Sequence, residues 1–126
     1  MSEYDSDLLA WSERQADALR RLAAVLRMRR NEHDEVDWEN VIEEIESVGR
    51  EQLHAVESLL TQAFLHDQKA EAWPLARDVD NWRAEARLFR RQAKRRFTES
   101  MRQRLDIPGL YADALAPVEF DYRFVG

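Results

Sequence analysis

One stretch of this chain constrains the fold more than any other. From about Asp37 to about Ala70, apolar residues recur at helical spacing. With Ile45 as the centre of a face at 100° per residue, Trp38, Val41, Ile42, Gln52, Val56, Leu59, Leu60 and Ala63 fall within about 60° of it. A helix of about 34 residues is ~50 Å long. A compact chain of 126 residues has a radius of gyration of only ~14 Å. The helix therefore bends, with Gly49 as the expected break, or it belongs to an elongated or dimeric bundle.

The flanking segments have the same character. Asp5 to Asp7 supply N-cap residues for a first helix, in which Leu8, Leu19, Ala23 and Leu26 share a face and Arg27, Arg29 and Arg30 crowd the end. Residues 31–35 read as a polar connection. Trp73-Pro74 marks a turn, because the residue before proline disfavours the helical region. A third helix begins between Pro74 and Asp80. It carries Trp82, Ala86, Phe89, Ala93, Phe97 and Ser100 on one face and is expected to run to about Leu105, where Ile107-Pro108-Gly109 stops it. Residues 110–115 make a short fourth helix. Beyond it, Val118, Phe120, Tyr122 and Phe124 alternate with charged residues, which favours an extended tail over a strand paired with another chain. Three glycines and three prolines are too few for a turn-rich β fold. The fold class is thus all-α: an antiparallel helical bundle of three long helices with a short C-terminal helix and an extended tail, in a single domain over residues 1–126.

Charge is strongly segregated beneath a net −6. Residues 31–57 hold ten acidic side chains against Arg50 alone, and residues 82–104 hold nine basic ones against Glu85 and Glu99. A basic stripe of Arg83, Arg87, Arg90 and Lys94 at 4-3-4 spacing is a candidate interaction surface for phosphates. Mutual neutralisation of the acidic and basic helices accounts for it better. The net charge is negative, and no aromatic residue interleaves the basic face.

The chemistry-bearing residues are few. Cysteine is absent, which excludes disulfides, thiolate metal sites and a cysteine nucleophile. Glu51 and His54 have the Glu-x-x-His spacing of di-iron bundles, but a single such motif on the polar face makes no site. His33 lies in the polar connection. His66 sits at the edge of the apolar face, flanked by Glu44, Glu51, Gln62 and Lys69. Glu44, His66 and Lys69 are therefore the candidates for acid–base chemistry. No glycine-rich phosphate loop or nucleophile elbow accompanies them. Trp11, Trp38 and Trp82 read as core or interface anchors. Neither a membrane-spanning run nor an export signal is present, so the expected location is cytoplasmic.

The order of several residues resembles a bacterial family known as domain of unknown function 29. Tyr4, Asp7 and Trp11 match its opening. Asp37, Glu43, Glu44, Ile45, Glu46 and Gly49 match its acidic run before a glycine. His66 with Lys69, then Trp82 with Arg83 or Arg87, and finally Tyr111 with Ala114 follow in the family's order. The match spans about residues 4–115. The chain departs from the family in having Asp67-Gln68 where the family usually has Leu-Leu, and in lacking a Pro-Ser-Leu near Phe97. The resemblance implies a small all-α bacterial protein and supplies no activity. The expectation is an uncharacterised helical-bundle protein that acts through protein contacts, with a partner or as a homodimer. No cofactor, metal or membrane is expected, and nucleic acid is disfavoured. The alternatives are an enzyme or ligand binder built on Glu44, His66 and Lys69, and nucleic-acid binding through the basic helix.

Overall fold

The structure is a computed structural model that describes residues 2–29 and 35–115. The alternating tail and His33 lie outside these residues. Helix α1 is Glu3–Ser6, α2 is Leu8–Met28, α3 is Trp38–Ala72 and α4 is Val79–Arg96. A 3-10 turn follows at Glu99–Met101, and residues 107–115 form a last helix, α5. Among the described residues there is no strand.

The chain divides into two compact units. The first holds Met1–Leu53 with Thr98–Arg102, and the second holds His54–Phe97 with Gln103–Gly126. Helix α3 gives its first half to one and its second half to the other. It passes through Gly49 without interruption. Gly49 is not a break but a contact: a Cβ there would lie 2.0 Å from Ser12 Oγ and 3.1 Å from Leu9 Cα. The backbones of α2 and α3 touch at this point, and only hydrogen fits between them.

Buried positions recur at one spacing along each of the long helices. On α3, Ile42, Gly49, Val56, Ala63 and Ala70 recur every seven residues and are all buried. On α2, Leu9, Ala16 and Ala23 do the same, and on α4 Ala86 and Ala93. Alanine at buried positions draws helix axes toward the short end of the usual ~8–10 Å, and the seven-residue repeat is that of coiled-coil packing. In the first unit Arg20 of α2 pairs with Glu46 of α3. Beyond that pair, Arg20, Ala23 and Arg27 line one groove with Glu39, Ile42 and Glu43. Ascending positions on α2 thus meet descending ones on α3, so these two run in opposite directions.

Helix α4 ends at Arg96, about nine residues short of the expected Leu105. Phe97 and Thr98 are extended. The cause is Asp7, which caps α2 by accepting from Ala10 N–H at 3.1 Å. The same carboxylate accepts from Ser100 N–H at 2.9 Å and from Ser100 Oγ at 2.6 Å. Met101, wholly buried, anchors the segment in the first unit. Nor do Ile107-Pro108-Gly109 stop a helix: they form the first turn of α5. Proline has no N–H to satisfy there, and Asp106 caps the turn by accepting from Gly109 N–H at 3.1 Å.

Two measurements test this account. Replacing a mid-helix glycine by alanine ordinarily stabilises a helix by ~1 kcal/mol. Gly49→Ala will instead destabilise by about 1–3 kcal/mol, because the added methyl forces the α2 and α3 backbones apart. Urea titration reads the sign, and adding Ser12→Ala will recover part of the loss. At Asp7, burial acts to raise the carboxyl pKa. Hydrogen bonds from Ser100, Ala10 and Thr98 outweigh it and hold the group below its ordinary 3.8. Its contribution is complete above that value and is lost as pH falls through the lower folded-state pKa. Asp7→Ala will cost about 1–3 kcal/mol at neutral pH. The gap from wild type will shrink in urea titrations below pH 3.8.

Candidate functional site

The sequence candidates fall in both units. His66 and Lys69 lie in the second half of α3, both half-buried. Glu44 is exposed and lies in the first unit, about six turns up the same helix.

Each of the other two has a packing role. His66 Nδ1 donates to the Gln62 carbonyl at 2.7 Å. The ring lies 5.5 Å from that of Phe89 on α4. Lys69 places its Nζ 6.0 Å from the centre of the Trp82 ring, at the outer limit of a cation–π contact. Trp82 in turn packs against Trp73 at 6.4 Å, whose N–H donates to Lys69 O in the last helical bond of α3. Glu51 and His54 are both exposed. Among the described residues no group of three His, Asp or Glu side chains could hold a metal ion, and no helix is long and apolar enough to cross a membrane.

The basic stripe is divided in use. Arg90 meets Asp67 of α3 in a forked pair, with Nη1 3.4 Å from Oδ1 and Nη2 against Oδ2. Arg83, Arg87 and Lys94 are exposed. The acidic stretch finds cations within its own unit: Arg20 on Glu46, and Arg50 on Glu43 and Glu46.

Sequence reasoning missed Gln68. It is almost wholly buried and donates from Nε2 to the Tyr111 carbonyl at 3.0 Å, while Phe64 stacks edge-on against the Tyr111 ring at 5.5 Å. These contacts dock α5 on α3. Polarity hid the residue, since a glutamine in a charged run reads as solvated. Its seven-residue neighbour Thr61 is half-buried on the same line. That pattern was the available signal.

The matching family model is a domain of unknown function, DUF29, over residues 3–124. The chain belongs to this family. A similar solved structure is the crystal structure of an α-helical protein of unknown function from Rhodospirillum rubrum. It is 31% identical with a TM-score of 0.81, over 99% of this chain and 77% of the other. No curated protein matches the chain. The residues that carry the family pattern here are contact residues. Tyr4 packs edge-on against Trp11 at 4.9 Å, Asp7 holds Ser100, Glu46 holds Arg20, and Gly49 admits Leu9. Asp67 makes an ion pair with Arg90, and Gln68 a hydrogen bond to α5.

A packing role for His66 and a catalytic one differ in what they couple to. His66→Ala and Phe89→Ala will each destabilise the fold, with a coupling in a double-mutant cycle of about 0.5–1.5 kcal/mol. Glu44→Gln will shift stability by no more than about 0.5 kcal/mol. Thermal melts of the wild type, the three single variants and the double variant measure all of this.

Proposed function

We propose that this DUF29 chain is a non-enzymatic interaction module that works by presenting an apolar helical face to a protein partner. One observation supports the reading above all. Beside the buried seam of the first unit, a strip of α2 and α3 stays uncovered: Leu22 is 47% exposed, Val41 40% and Val48 39%. Leu19, Leu26 and Ile45 are half-buried next to them. Single exposed apolar residues are ordinary, but a contiguous strip on two packed helices marks a binding surface. The side chains with acid–base potential are meanwhile engaged in packing or stand apart, which favours contact over catalysis.

The test is site-directed photo-crosslinking in the cells the protein comes from. A crosslinking amino acid at Leu22 will give a discrete protein adduct, while the same group at the exposed Arg87 of α4 will give none. Absence of an adduct at Leu22 rejects the reading.

A further inference from the structure

The acidic and basic helices do not neutralise one another as their sequences suggest. The acidic run on α3 takes Arg20 and Arg50 as its cations, and on α4 Arg90 alone is held, by Asp67. Residues 83–96 carry seven basic side chains against Glu85. With the buried Ala86 as zero at 100° per residue, Arg83, Lys94, Arg87, Arg91 and Arg95 fall at about 60°, 80°, 100°, 140° and 180°. All five are exposed, and among the described residues none of them has an ion-pair or hydrogen-bond partner. Glu85 lies at about 260°, on the other flank. The one acidic residue on the cationic arc, Asp80, stands in the first turn at its end. We propose that this face of α4 binds the phosphate backbone of a duplex nucleic acid without reading its bases. The face belongs to the second unit and the apolar strip to the first, so the two readings stand or fall separately.

Three features carry this. First, the charge is free to be used. A cation already held by a carboxylate must give it up to meet a phosphate, and these five, spread over ~18 Å of helix, have none to give up. Second, four of the five are arginine, whose forked donors match phosphate oxygens. Third, the surroundings exclude other polyanion partners. Protein interfaces centre on apolar and aromatic side chains with charge at the rim. Here the cations hold the centre, and Leu88, beyond Arg95 at the margin, is the one large apolar side chain of α4 that stands exposed. Single strands are held by stacking on aromatic rings, but Trp82 and Phe89 lie on the opposite flank, against Lys69 and His66. The arc also lacks the Asn and Gln side chains that read adenine edges. What is left is backbone contact. The net −6 resides chiefly in residues 31–57, and such a field is screened beyond ~8 Å at physiological ionic strength.

The experiment is fluorescence anisotropy of the full chain with labelled duplexes of about 20 base pairs, DNA and RNA in separate arms and two unrelated sequences in each, across a salt series. At least one duplex type will bind at low salt, its two sequences alike, and the arms show which nucleic acid is preferred. The logarithm of the affinity will fall with that of salt at a slope of about −0.9 per phosphate contacted, thus up to about −4.5. Arg87→Gln with Arg91→Gln will flatten the slope by about 2 and weaken low-salt binding about tenfold or more. Arg14→Gln with Arg21→Gln on α2, an equal change of net charge, will leave both unaltered, and circular dichroism will show all three chains equally helical. No binding of either duplex at the lowest salt, or a slope unmoved by the α4 pair, overturns the proposal. So does tighter binding of a single strand, or competition by polyglutamate as effective as duplex at equal charge, which points to an acidic protein instead.

Discussion

The contact between Gly49 of α3 and Leu9 of α2 fixes what the first unit can be. Leu9 Cα would lie 3.1 Å from a Cβ at Gly49, so the two helices meet backbone to backbone. A contact this close leaves no slack in rotation or register. It puts Ile42 and Gly49 on the buried line of α3, and Leu9, Ala16 and Ala23 on that of α2. Two residues before Leu9, Asp7 caps α2 and holds its carboxylate to Ser100.

The dependence explains which parts of the fold were legible in the sequence. Helical period is local, so α2, α3 and the start of α4 are visible from Leu8, Ile42 or Ala86 and their spacing. Gly49 was misjudged because local propensity treats glycine as a weak point, whereas tertiary packing treats it as a place of approach. The end of α4 was hidden for a related reason. Ser100 sits at helical spacing from Phe97 and Ala93, and nothing nearby announces that Asp7, ninety-three residues earlier, takes its N–H. Residues 107–109 were read as a terminator because proline and glycine punctuate helices at both ends, and Asp106 decides which end this is.

The candidate site follows the same logic. His66 and Lys69 were singled out as groups near a carboxylate-lined flank, and the structure occupies them with Gln62, Phe89 and Trp82. Glu44, on the same flank by helical angle, is exposed in the first unit. Gln68 shows the reverse error. Its polarity hid a buried residue whose amide donates to the Tyr111 backbone. Positions 67 and 68 dock α4 and α5 by polar means: a forked ion pair to one, a hydrogen bond to the other.

A seam of alanine and glycine is narrow, and the apolar face of α3 is wide. Close approach buries one line of small side chains and carries the partner helix to one side of the face, where Arg20 and Glu46 seal the edge. The larger residues on the other side, Val41 and Val48 on α3 and Leu22 on α2, are left in solvent. Had the seam been built of leucine, the helices would stand further apart and these side chains would fall into the space between them. The uncovered strip therefore follows from the same small residues that hold the pair together. Burying it requires a further layer packed against that side of the pair.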